Sequence, residues 1–382
     1  MSPAVRFIVL LGGVSLFADI TYEGARGAIG PYLALLGAGP AAVALIAGCG
    51  EFLGHALRLG SGWLADRTKA YWALTILGYA VNLLAVPMLA FAGDWRMAAA
   101  LVILERSGKA LRTPARDAML SRATEQTGHG WGFGLHEAMD QVGAVAGPLL
   151  VAAAVASRGV REGFLWLAIP AGGALLLLLL ARREFPAPPG LPIRVQSLDG
   201  QGLPRRFWLY LAGASLMAAG FLDFPIVAWR LSQSQLFEPA WIPALYALAM
   251  GVDAAAALLF GRLFDRHGFR VLAAGAGLAA AGAPLVLLGG RTGVVAGVIL
   301  WGAALGAQES IVKAAVAAMV PAERRASAFG IFHAVFGGAW FAGSLAAGWL
   351  LSQSAATAAA LAALLSLLAI PVLLRSGDSR GE

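Results

Sequence analysis

Ionisable side chains recur at helical spacing inside stretches that are otherwise apolar. Asp19, Glu23 and Arg26 stand at i, i+4 and i+7, and Glu51, His55 and Arg58 repeat that spacing. Glu105, Lys109, Arg112 and Arg116 follow at i, i+4, i+7 and i+11, with Arg106 beside them. Each spacing puts its members on one helix face. A charge at the centre of a bilayer costs roughly 2.5–3.5 kcal/mol on insertion scales, so such residues are kept for a reason. Carboxylates facing cations can take up and release protons, because burial favours the neutral acid and a nearby cation favours the carboxylate. Glu23, Glu51, Glu105 and Glu137 are the candidate proton carriers. Lys109, Arg112 and Arg116 can neutralise an anionic or zwitterionic solute, or tune those acids. Internal salt bridges are the competing explanation, with Glu105–Lys109 and Glu309–Lys313 both well spaced as i, i+4 pairs. His136, Glu137 and Asp140 add a further group; on a helical wheel His136 and Asp140 share the side of Gly143 and Gly147, and Glu137 is turned away. Asp19, Glu23, Glu51 and His136 offer oxygen and nitrogen ligands for a transported metal, but they match no metal-binding motif. Cys49 is the single cysteine, so no intrachain disulfide can form.

The elements that carry these residues read as membrane helices. Of 382 residues, 59% are hydrophobic and 13% charged, and the mean hydropathy is +0.75. A water-soluble fold needs more polar surface. The apolar runs are each long enough to cross a bilayer, which takes about 20 residues. They predict twelve helices, at 5–30, 41–65, 71–92, 96–120, 132–156, 163–181, 207–230, 240–264, 271–290, 293–319, 327–350 and 355–374. Their length and lack of period-two alternation argue against strands. The first run continues through Glu23 and Arg26 and reads as a retained span, not a cleaved signal peptide. The net charge of +7 is no nucleic-acid signature, because the basic residues sit at span ends. They concentrate in alternate loops, which predicts two cytoplasmic termini and an even number of spans.

The chain also repeats. Gly62-x-x-x-Asp66-Arg67 recurs as Gly261-x-x-x-Asp265-Arg266 at an offset of 199, and Gly13-Val-Ser15-Leu16 matches Gly213-Ala-Ser215-Leu216 at 200. That register sets Glu23 opposite Asp223. The Pro- and Arg-rich stretch 182–206 reads as a cytoplasmic linker between six-helix bundles at 1–181 and 207–382. Parallel repeats of this kind place a solute site near mid-membrane. The second bundle carries fewer charges (Asp223, Arg230, Asp253, Glu309, Lys313), with aromatic residues such as Phe221, Trp301, Phe336 and Trp340 on its walls. A cavity charged on one wall and aromatic on the other is expected.

With these features the whole chain resembles the major facilitator superfamily. The second loop motif matches the family's Gly-x-x-x-Asp-Arg-x-Gly-x-Arg in full, at Gly261, Asp265, Arg266, Gly268 and Arg270. The first keeps Gly62, Asp66 and Arg67 but has Lys69 where the second glycine belongs. The resemblance implies that both loops latch a cytoplasmic gate, the first more weakly. Gly134, Gly143, Gly147 and Pro148 resemble the antiporter motif of drug/proton exporters, although Val151 and Ala152 replace its closing glycines. Arg106-Ser-Gly108-Lys109 and Arg112-Thr-Pro114-Ala-Arg116 loosely resemble the basic motif of proton-coupled members. What this implies is an all-α membrane protein with twelve helices in two pseudo-symmetric bundles, working as a secondary transporter. The expectation is proton-coupled export of a small anionic, zwitterionic or amphiphilic solute by alternating access. The alternatives are export of a metal or metal chelate, or an importer, symporter or lipid transporter of the same fold. A monomer in the inner (plasma) membrane is expected, with protons and lipid as its other partners, no nucleic acid, no cofactor and no enzyme activity.

Overall fold

Lipid leaves no water to satisfy exposed backbone groups, so an apolar chain of this length must bond its backbone within each segment, as helices. The computed structural model describes residues 2–124, 129–186, 203–320 and 325–377, and all of its regular structure is helical. The first half comprises α1 (Pro3–Leu35), α2 (Pro40–Thr68), α3 (Tyr71–Met88), α4 (Trp95–Thr124), α5 (His129–Arg158), α6 (Val160–Trp166) and α7 (Ala168–Glu184). The second comprises α8 (Arg205–Gly220), α9 (Phe224–Ser234), α10 (Trp241–His267), α11 (Phe269–Leu288), α12 (Arg291–Met319), α13 (Arg325–Gln353) and α14 (Ala355–Gly377).

Eleven segments among the described residues are long and apolar enough to cross a membrane; α6–α7 and α8–α9 each form one of them. The twelfth expected span is α4. At 30 residues it is long enough to cross. Its charged stripe alone lowers its hydropathy, and those charges are turned inward: Glu105, Arg106 and Arg112 are buried.

The α8–α9 span departs from a simple helix. Phe221–Asp223 is extended, so the helix is broken for three residues within an apolar segment. Pro225 lies just inside α9 and cannot supply the amide that a continuous helix would need. The broken backbone is satisfied from the side: Trp301 Nε1 donates to the Leu222 carbonyl at 2.8 Å.

The helices cluster into two compact units. One contains Met1–Gly37, Leu53–Val195 and Glu238–Ala247; the other contains Ala38–Phe52, Gln196–Phe237 and Leu248–Glu382. The opening turns of α2 thus belong with the second unit, and those of α10 with the first. In the first unit α1 lies along α5. Gly143 and Gly147 make that possible: a side chain at Gly143 would strike the Leu16 carbonyl and Asp19, and one at Gly147 would strike the Ile20 carbonyl and Gly24. In the second unit Gly343 of α13 approaches α8 in the same way, against the Ala219 backbone.

The two loop motifs share a positive φ at matched positions. Gly268 has φ +57°, and Lys69, at the matching position 199 residues earlier, has φ +56°. Glycine adopts that conformation freely, whereas a side chain there is strained by about 1–2 kcal/mol.

Candidate substrate and proton-coupling site

The polar side chains of the first unit converge because α1, α4 and α5 turn their charged stripes toward one another. Glu23 of α1 is held twice. Tyr246 Oη of α10 donates to its Oε2 at 2.5 Å, and Lys109 Nζ of α4 lies 3.6 Å from its Oε1. Arg26 and Arg106 add to the positive field around Glu23. One turn toward the start of α1, Asp19 is buried within electrostatic reach of Asp140, Lys109, Glu23 and Arg112. Two carboxylates and their cations in a low-dielectric setting form a group in which moving one proton changes every neighbour's balance.

The cations are placed with equal care. Lys109 Nζ stands 3.9 Å from the centre of the Tyr22 ring. Arg112 is 1% exposed, with its guanidinium 4.0 Å from the Tyr79 ring and 5.7 Å from that of Tyr22. No carboxylate among the described residues lies within ion-pair distance of Arg112, and its Nε has no hydrogen-bond partner there. Glu105 is tied into the α3–α4 seam: Asn82 Nδ2 donates to its Oε1 at 2.7 Å, and Arg106 Nε lies 3.1 Å from its Oε2.

A second group lies nearer the start of α1 and α5. His136 is buried, with Nε2 at 3.0 Å from Ser15 Oγ and Nδ1 at 3.3 Å from Asp140 Oδ2. Arg116 Nη1 donates to the same Ser15 hydroxyl at 2.8 Å while the guanidinium pairs with Asp117 at 2.7 Å. Tyr79 Oη is 3.4 Å from Ser15 Oγ.

Other sequence candidates are not gathered here. Glu137 is exposed and hydrogen-bonded to Gln141. Gly134 faces open space, so of the antiporter-like residues Gly143 and Gly147 are those that pack against α1. Glu51 falls in the stretch of α2 that belongs to the second unit. In that unit Asp223 is buried at the α8–α9 break and accepts a 2.7 Å hydrogen bond from Ser344 Oγ. Around the break, the Phe221 ring lies 5.1 Å from Trp301 and 5.3 Å from Trp340. Glu309 is exposed on α12, and the Lys313 side chain lies outside the described residues. Among the described residues no three His, Cys, Asp or Glu side chains are gathered to hold a metal ion.

The loop-motif residues lie at the ends of α2 and α10. Gly62 faces Pro114 of α4, and Gly261 faces Ser310 of α12. Arg67 stacks on Trp63 at 5.0 Å, and Asp265, Arg266 and Arg270 are exposed. The Asp66 side chain lies outside the described residues.

Ser15, Tyr22, Tyr79, Asn82, Tyr246 and Ser344 escaped the sequence reading as site residues. A neutral polar side chain in an apolar helix carries no charge signal. The break at Asp223 did have one, Asp-Phe-Pro, since a helix restarts readily at a proline in its first turn.

The family model for the Major Facilitator Superfamily matches residues 11–236 and again 209–381. The chain belongs to the major facilitator superfamily. It is therefore a multi-pass membrane transport protein of that fold, not an enzyme. The superfamily member is 40% identical over 97% of its length to an "uncharacterized protein" of Mycobacterium tuberculosis, covering 92% of that relative. It is 26% identical over 90% of its length to an "uncharacterized MFS-type transporter" of Methanocaldococcus jannaschii, covering 88% of it. Among solved structures it is similar to a POT family transporter in complex with a thioalcohol-conjugated peptide (TM-score 0.79, 14% identity, 97% and 95% of the two chains). It is also similar to a nucleoside transporter (TM-score 0.74, 13% identity, 97% and 98%). At these identities the structural likeness establishes the superfamily fold alone.

Proposed function

We propose that this superfamily member is a proton-coupled secondary transporter that exports a small organic solute by alternating access. The observation that carries the reading is the buried network of Asp19, Glu23, Lys109, Arg112 and Asp140, which places acids and cations from three helices in one low-dielectric group. A proton and the ammonium of a zwitterionic solute compete for the same carboxylates in such a group, so binding one releases the other, as exchange requires. Bundles 1–181 and 207–382, joined by a cytoplasmic linker at 182–206 most of which lies outside the described residues, give the site alternating access, with the loop motifs at 62–67 and 261–270 as latches. We place it as a monomer in the inner (plasma) membrane with both termini in the cytoplasm. Export is supported by Gly143, Gly147 and Pro148, whose resemblance to the antiporter motif now has a physical counterpart in the close α1–α5 seam.

A second reading is uptake of an anionic solute together with a proton. Arg112 favours it, because a buried guanidinium packed against two tyrosine rings, with no carboxylate of the described residues at ion-pair distance, suits a carboxylate or phosphate. The test begins with a solute screen by thermal stabilisation of purified protein, where a true substrate stabilises by mass action. Transport of the hit is then measured in proteoliposomes under pH gradients of either sign. Exchange of solute against protons supports export. Solute and proton moving together supports the second reading. Transport indifferent to the gradient sinks proton coupling.

A further inference from the structure

The coupling proton needs a group that can be charged or neutral without leaving a broken hydrogen bond behind. Carboxylates were the sequence candidates, yet an imidazole also meets this requirement. Both nitrogens of His136 are engaged, one by Ser15 on α1 and one by Asp140 on its own helix. Arg116 can only donate, so its N–H to Ser15 Oγ leaves the serine proton free to point elsewhere.

Two acceptors for that proton lie within reach, and they define two states. In the neutral state Ser15 donates to His136 Nε2, and His136 Nδ1–H donates to Asp140. In the charged state Nε2–H donates to Ser15 Oγ, and the serine proton turns to Tyr79 Oη. The incoming proton adds to the Nε2 lone pair and no covalent bond breaks. Ser15 rotates its O–H, and both ring nitrogens of His136 stay paired in either state.

The surrounding charges allow both states. From α5, Asp140 offsets the imidazolium; its Oδ1 is buried with no hydrogen-bond partner among the described residues. From α1, Asp19 is buried within electrostatic reach of Asp140. From α4, Arg116 opposes the imidazolium, but Asp117 neutralises much of that charge at 2.7 Å. From α3, Tyr79 presents its hydroxyl, and its ring lies against Arg112. Protonation of His136 thereby reaches the Arg112–Tyr22 face through one shared tyrosine.

We propose that Ser15, His136, Asp140 and Tyr79 form the proton-binding site, with His136 as the carrier and Ser15 as the hydroxyl that switches partners. This rests on the proton-coupled reading above, but it can fail separately from it.

The test uses the full chain in lipid nanodiscs, with isotope-labelled histidine and the proton itself as probe. The chain has five histidines, and His136→Gln assigns the ring signals by loss of one set. The expected result is that His136 passes from a neutral Nδ1–H tautomer to a doubly protonated ring between about pH 9 and 5. In Tyr79→Phe the charged form loses its outlet for the serine proton, so its share of the ring signal at a given pH falls. Asp140→Asn should suppress it further. A His136 ring that keeps one protonation state across that range overturns the proposal, whatever the variants do. So does a transition unmoved by Tyr79→Phe and Asp140→Asn in protein that melts like wild type. If solute transport follows the pH gradient while His136 does not titrate, proton coupling stands and this site is wrong. If transport ignores the gradient while His136 titrates as described, the coupling role is wrong instead.

Discussion

The fourth helix of the first half and its repeat partner in the second, α4 and α12, have nearly the same length and opposite character. α4 spans 30 residues and buries Glu105, Arg106 and Arg112; α12 spans 29 residues and remains apolar enough to read as a plain span, with Glu309 exposed. The same contrast holds for α1 against α8–α9. The first brings Asp19 and Glu23 into a charged network, while the second offers Asp223 with Ser344 beside a cluster of rings. The two units share helix order and close glycine seams but differ in chemistry. The first carries a buried charged network, and the second carries a helix break beside aromatic rings.

The largest expected effects test what the units share. Gly143→Val and Gly343→Val each push a side chain into a facing backbone, in the first and second unit respectively. Each should cost about 3 kcal/mol, seen as a large loss of melting temperature or of folded yield. If one is tolerated, the packing equivalence of the units is wrong.

The next pair tests what they do not share. Ser15→Ala and Ser344→Ala both remove a buried hydroxyl partner, from His136 and Asp223, and should each cost about 2 kcal/mol in thermal or denaturant melts. Only Ser15→Ala should alter the pH profile of transport. A shifted profile in Ser344→Ala would place proton chemistry in the second unit as well.

Smaller effects probe the loops. Lys69→Gly relieves a strained φ and should stabilise by about 1 kcal/mol, whereas Gly268→Ala at the equivalent turn should destabilise by about the same amount. Equal and opposite melting shifts would confirm that the degraded motif kept its backbone while losing its glycine. The smallest effect concerns the start of α4, where Asp94 Oδ1 accepts amide hydrogen bonds from Arg96 and Met97 at 2.7 and 3.0 Å. Those bonds hold the Asp94 carboxyl below its ordinary value. Its contribution is therefore present above about pH 4 and fades as pH falls through the lower folded value. Asp94→Ala should lower the melting temperature slightly near neutrality and converge with wild type in acid.

Much of this was readable in the residues, and the reasons are physical. Lipid solvation forces apolar runs into helices, so the spans were visible, α4 included, because its charges keep helical spacing. An internal repeat was legible in Gly62/Gly261 and Asp66/Asp265. The site was legible only as stripes. Which stripe meets which depends on helix rotation, so Tyr246, 223 residues beyond Glu23, could not be assigned as its partner. The helical wheel turns Glu137 away from His136 and Asp140 and so predicts that it reaches the cavity; it is exposed and outside the buried network, while the uncharged Ser15 contacts both His136 and Arg116.

The central claim is that the buried polar network of the first unit, with His136 taking the proton and Asp19 and Glu23 setting the charge around the solute, couples solute movement to protons. Its most direct test is reconstituted protein with a solute found by stabilisation, comparing wild type, Asp19→Asn and Glu23→Gln. Wild type should build a solute gradient of up to about tenfold per pH unit for one-to-one electroneutral exchange. At least one amide variant should keep solute–solute exchange while losing the response to pH. Contradiction would be a wild type that moves solute at the same rate and to the same level with and without a pH gradient, or amide variants that retain the full pH-driven accumulation.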